Sequence, residues 1–138
     1  MVDMGTKRGY GVDLEKETKK NNYFRRVLYT AEHSQLVLMS LKPKEEIGAE
    51  VHKGIDQFFR IEEGKGIVVI NGVRRAVRDG SAIIVPAGSR HNVINTSATR
   101  KLKLYTVYSP PDHVDKVVHR TKAEAMAKDK EFDGRTSE

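Results

Sequence analysis

Four residues of this chain have the types and spacing that metal coordination requires. Glu50 and His52 stand two apart in the segment AEVHK, Gln57 follows after four residues, and His91 lies further on. On a strand, residues two apart share a face, so Glu50 and His52 point together, and Gln57, Phe59 and Ile61 share another face. Gly64 permits the turn that returns the chain to the next strand. His91 sits in GSAIIVPAGSRHNVIN, residues 80–95, where Gly80, Pro86, Gly88, His91 and Asn95 are separated by five, one, two and three residues. Gly80 and Gly88 supply turn conformations, and Pro86 stiffens the entry to the loop before His91.

The stretch from Gly80 to Asn95 resembles the second motif of the cupin family. Glu50-Val-His52 with Gln57 and Gly64 resembles the first. The resemblance covers roughly residues 34–108 and departs from the family's pattern at two positions. The usual first motif runs His-x-His, three or four residues, Glu, six residues, Gly. Aligned on Gly64, the four residues between His52 and Gln57 and the six between Gln57 and Gly64 both fit. Glu50 then stands at the first histidine position and Gln57 at the glutamate position. One negative charge is kept but moved across the site. The resemblance implies a metal bound by Glu50, His52, Gln57 and His91, with Asp56 beside Gln57 as a substitute ligand that regular strand parity turns the other way. Two imidazoles, a carboxylate and an amide oxygen suit one divalent ion: Mn²⁺, Fe²⁺, Ni²⁺, Co²⁺ or Zn²⁺.

The elements that must position these groups read as strands. Tyr23–Tyr29, Ser34–Leu41, Ala49–His52, Gln57–Glu62, Gly66–Ile70, the VRRAV run at 73–77, Ala82–Val85, His91–Asn95 and Leu102–Tyr108 are short runs bounded by glycine, proline or charge. Asn71-Gly72 predicts a hairpin of type I′, and Asp79-Gly80 repeats that turn chemistry. Pro110-Pro111 ends the sheet. This predicts an all-β fold, a sandwich or barrel. The resemblance makes it a cupin double-stranded β-helix, a jelly-roll barrel. Residues 1–20 are expected to be a flexible arm, 21–111 the barrel, and 112–138 a short C-terminal helix and tail. Thr121-Lys-Ala-Glu124 is a capping box before AEAMAKDKEF, with Asp133-Gly134 closing the helix.

Composition bounds the function. Of 138 residues, 25 are Lys or Arg and 19 Asp or Glu, for a net charge of +6, and none is cysteine. Disulfides, thiolate ligands and a cysteine nucleophile are excluded. No apolar run is long enough for a membrane span, and the charged N-terminus is no secretory signal, which fits the cytoplasm. The basic residues alternate with apolar ones along strands, as a solvated face does, rather than forming a nucleic-acid stripe. Arg60, Arg74 and Arg90 are candidate anion binders that read better as solvated. His33, His113 and His119 are expected at the surface or in packing. Phe59, Ile61, Val93 and Tyr105 are expected in the core, and Phe58 outside the barrel.

Three functions follow from the resemblance. The first is metal-assisted isomerisation or tautomerisation of a small sugar or sugar-derived acid, as in the sugar-processing cupins of phosphomannose-isomerase type, with Glu50 as the catalytic base. The others are a metal-dependent dioxygenase and a non-catalytic ligand-binding module. Small cupins are commonly homodimers that pair through sheet edges and N-terminal strands, which here would use Tyr23–Tyr29.

Overall fold

A computed structural model describes residues 5–138. Among the described residues, ten strands form two antiparallel sheets, with one short helix before them and one after. The strands are β1 (Arg25–Thr30), β2 (Gln35–Leu41), β3 (Glu50–Val51), β4 (Asp56–Glu63), β5 (Lys65–Ile70), β6 (Val73–Arg78), β7 (Ala82–Val85), β8 (Arg90–Asn95), β9 (Leu102–Ser109) and β10 (Val118–His119). The six-stranded sheet runs β10-β1-β2-β9-β4-β7, and the four-stranded sheet runs β3-β8-β5-β6. The strands expected from the sequence are all present, and β10 is an addition. Among the described residues, no helix is long and apolar enough to cross a membrane.

The core lies between the two sheets. Val37, Met39, Phe59, Ile61, Val68, Val93 and Leu104 are all at most 1 % exposed. Full burial of such side chains contributes about 1.5–3 kcal/mol each. Strand parity carries this core inward: along β4, Gln57, Phe59 and Ile61 are buried while Phe58, Arg60 and Glu62 are half-buried. The same parity corrects one expectation. Tyr105 pairs with Arg60 across β4 and β9, so its ring lies on the outer face, 6.2 Å from Phe58, rather than in the core.

Two turns behave as their sequences require. Asn71 and Gly72 both take positive φ, 47° and 82°, which fits a type I′ hairpin between β5 and β6. Gly66 has a different role. A side chain there would collide with the carbonyl oxygen of Ile94, so β5 approaches β8 this closely only with glycine.

Within the described part of the first twenty residues, the expected flexible arm contains a helix. Met1–Met4 lie outside the described residues, but Leu14–Lys20 form helix α1. Asp13 caps it by accepting from the Lys16 N–H at 3.2 Å. Glu15 and Glu17 in the first turn and Lys19 and Lys20 in the last complement the helix dipole. Pattern alone missed this helix because seven residues give too few turns for a periodicity. Ahead of it, Tyr10 stacks on Tyr29 at 5.2 Å and the Arg8 N–H donates to Glu138. The α1 segment also removes Lys103 from solvent: its ammonium donates to the Asn21 carbonyl and to Asn22, and burial pulls its pKa down. One member of the basic RKLK run is thus buried, not solvated.

At the other end, helix α2 (Lys122–Lys128) is capped by Thr121, which accepts from the Glu124 N–H at 3.1 Å. It ends at Asp129, earlier than the Asp133-Gly134 turn expected to close it. Asp129 takes an extended backbone at the C-cap, and its carboxylate accepts from His113 at 3.0 Å. The N-terminal part of β1 is flanked by β10 of the same chain, through Arg25–His119 and Arg26–Val118.

Candidate metal centre

The two motifs converge because β3 and β8 are neighbours. Glu50 pairs with His91 across these strands. The Gly88 N–H donates to the His52 carbonyl at 2.9 Å, tying the Pro86–Ser89 turn to the residue that follows β3. Glu50, His52 and His91 each offer a ligand atom, and all three atoms lie within 4.8 Å of one another. The imidazoles are 5.3 Å apart, and Phe59 at 6.2 Å forms an apolar wall against His91.

The donor set fits a divalent ion. His91 is 3 % exposed, and its Nδ1–H donates to the Ser89 carbonyl at 3.0 Å. That bond leaves the Nε2 lone pair free, which is the tautomer a metal ligand needs. This Nε2 is buried without a hydrogen-bond partner among the described residues, and so is Oε1 of Gln57. Each such orphan costs about 1–3 kcal/mol in a closed protein, a penalty that a coordinated ion removes. Gln57 reaches this state because its amide Nε2–H donates to Thr106 at 3.0 Å, which fixes the oxygen as the free end.

Glu50 and His52 contact each other directly, Oε2 to Nε2 at 2.8 Å. Burial pushes the Glu50 carboxyl up, but the hydrogen bond from His52 and the nearby charges of His52, Arg25 and His91 outweigh it, so the net shift is downward. For His52, burial lowers the imidazole, but the bond to Glu50 and the charges of Asp112 and Glu50 outweigh it, so the net shift is upward. The pair thus holds a proton where a cation would sit.

Behind this cage lies a polar chain that the sequence did not announce. Asp112 places Oδ2 3.6 Å from Nδ1 of His52 and 3.4 Å from Nε2 of His113. The Tyr108 hydroxyl meets His113 Nε2 at 3.2 Å, and its ring packs edge-on to His52 at 5.7 Å. Burial, reinforced by Glu50, Asp112 and Asp129, pushes the Tyr108 phenol far above its usual range, so it stays protonated and donates. His113 and His119, expected at the surface or in packing, are 2 % and 4 % exposed. His33 is exposed. Asp56 is exposed too, and accepts from the Ala87 N–H at 2.9 Å. The final motif residue, Asn95, is structural: its amide donates to the carbonyls of Leu41, Lys42 and Arg100 and its oxygen accepts from Ser97.

A second unannounced group is Arg25. Its register opposite Met39, itself opposite Leu104, turns it inward, and it is 4 % exposed. Parity with Val27 was readable, but which face was inner required the pairing with β2. Arg90 and Arg74 are exposed, and Arg60 pairs with Glu62 at 3.1 Å.

The family model described as "Cupin domain" matches residues 37–108, more than half of the chain. The chain is a cupin. It is 49 % identical over 133 residues to the Bacillus subtilis protein YrkC, covering 92 % of this chain and 70 % of that one. Among solved structures, this cupin is similar to BH2720 from Bacillus halodurans, with a TM-score of 0.85 and 46 % identity over 93 % of this chain and all of that one. KdgF from Halomonas sp. shares the fold at a TM-score of 0.58 and 17 % identity, over 62 % of this chain and 76 % of that one. The all-β cupin barrel with a short C-terminal helix is therefore established, and with it a Glu/His/His cluster able to hold a metal.

Proposed function

We propose that this cupin binds one divalent ion through Glu50, His52, His91 and the Oε1 of Gln57, and acts on a small sugar or sugar-derived acid by isomerisation or tautomerisation. The observation that carries the reading is the cage itself: three ligand atoms within 4.8 Å, one of them a buried imidazole nitrogen whose tautomer is already set. A bound ion of the Mn²⁺ to Zn²⁺ series would supply Lewis-acid polarisation of a substrate carbonyl or hydroxyl. The chain's own residues do the rest. Gln57 is neutral, so only one ligand, Glu50, carries negative charge, which favours polarisation. Glu50 hydrogen-bonds His52 at 2.8 Å in the metal-free protein, and where it is not held as a firm ligand such a carboxylate is suited to moving a proton between adjacent substrate carbons. Asp112 and the Tyr108–His113 pair orient His52 from behind. Phe59 and the barrel wall exclude water from His91.

Metal analysis of protein purified without a histidine tag, followed by turnover of aldoses, ketoses and unsaturated uronates with and without oxygen, tests the reading. Turnover without oxygen, supported by several divalent ions, is the expected result. Strict dependence on O₂ and Fe²⁺, read by substrate-coupled oxygen uptake, would instead make the protein a dioxygenase.

A further inference from the structure

We propose that Arg25 anchors a carboxylate of the substrate, so that the molecule acted on is a small hydroxy- or keto-acid entering between β1 and α2. This rests on the metal-site reading and narrows it. Two clefts reach the cage from different sides. One, of about 240 Å³, is lined by Arg25, Glu50, Lys122 and Asp129 with Phe24 and Met126 as apolar walls. The other, of about 470 Å³, presents His52 and Lys53 with the carboxylates of Asp112 and Glu131.

Charge separates the two. With Glu50 committed to a divalent ion, the smaller cleft keeps two cations, Arg25 and Lys122, against Asp129 alone. The larger cleft sets two carboxylates against Lys53, and these repel an anion.

Arg25 is also poorly satisfied by the protein. Its Nε is buried and has no hydrogen-bond partner among the described residues. Its Nη1 donates to Nδ1 of His119 at 3.2 Å, and His119 stays neutral because burial and the Arg25 charge both lower its pKa. The carboxylate that ion-pairs with it, Asp129, is 3.9 Å away, beyond hydrogen-bond length, and is already bonded to His113. Phe24 lies under the guanidinium, 5.4 Å from its carbon to the ring centroid, and orients its plane. A planar donor fork held this way is built for a planar, singly charged acceptor. Asp129 already offsets part of the charge, so a carboxylate matches the site better than a dianionic phosphate. A neutral sugar would leave the buried Nε–H unpaired, and such a site discriminates strongly against the analogue lacking the partner. The cleft volume limits the acid to a few carbons, below the usual span of drug-sized pockets.

The test uses glycerate and its uncharged amide, glyceramide, titrated into the zinc-loaded protein by calorimetry. Binding of glycerate at least about tenfold tighter than glyceramide is expected, with that preference lost in Arg25→Gln at unchanged zinc content. In the wild type, the Arg25 Nε–H resonance should move on addition of glycerate, and this readout decides the question if Arg25→Gln does not fold. A preference that survives Arg25→Gln, an unmoved resonance, no saturable glycerate binding, or inorganic phosphate binding more tightly through Arg25 would each overturn the proposal. A wild-type protein that takes up no zinc refutes the metal reading and, because Glu50 then remains an uncommitted anion in the cleft, this proposal with it.

Discussion

Glu50 and His52 hold one proton between them, carboxylate oxygen to imidazole nitrogen at 2.8 Å, in the place where their lone pairs would otherwise meet a cation. The contact follows from two-residue spacing at β3. It makes metal binding a competition with a proton, and its consequences can be measured.

That competition has a pH signature. In metal-free protein, His52 has its folded pKa raised above 6.5, so its contribution to stability is fully present below about pH 6.5 and is lost as pH rises through the folded value. Glu50 has its folded pKa lowered below 4.5, so its contribution is present above that value and lost as pH falls through the folded one. Urea denaturation of chelated protein should therefore show the pair's support between these limits and its decline on both sides. Excess metal should reverse the alkaline trend, because only the deprotonated imidazole binds it. His52→Gln should flatten the alkaline decline, and an unchanged profile in that variant would remove the pair as its cause.

His91→Ala should abolish stoichiometric metal binding. It removes the imidazole nitrogen that is buried, partnerless and held in the ligating tautomer. Elemental analysis of the purified variant checks this, and metal retained at one ion per chain would sink the assignment.

Removing the metal should leave the barrel folded. Its core of Val37, Met39, Phe59, Ile61, Val68, Val93 and Leu104 contains no metal ligand. Metal should add stability by mass action, about 2.7 kcal/mol at a hundredfold excess over Kd. Circular dichroism of chelated protein should keep its strand signal while the melting temperature drops, and a random-coil spectrum would contradict the expectation.

Gln57→Glu should separate stability from chemistry. The site is 2 % exposed, so a carboxylate there lacks solvent in the metal-free protein and should lower its melting temperature. With metal present the added anionic ligand should tighten binding and weaken turnover by making the ion less electron-poor. A competition titration and turnover rates on one preparation measure both, and faster turnover would count against Lewis-acid polarisation.

How much of this was legible before any fold was known differs from residue to residue. Glu50, His52 and His91 could be named because their spacing is local: two-residue parity and a turn built on Pro86 and Gly88 are properties of short segments. The positions of nine strands along the chain were readable for the same reason, since each carries its own alternation and its own breakers, whereas their order in the two sheets was not. Helix α1 was not, because seven residues held by one aspartate cap and charge placement leave no periodic trace. Arg25, Asp112, His113 and Asp129 were invisible as a group. Their sequence separations, from Arg25 to His119 and from His113 to Asp129, are closed only by the pairing of β1 with β10 and the return of α2 across the barrel mouth. Sequence by itself, through the resemblance of two short segments to the cupin motifs, named Glu50, His52 and His91, the side chains that converge on the candidate cage. Tertiary structure alone decided which charges stand beside them, since burial and field depend on elements that meet only when the sheets close.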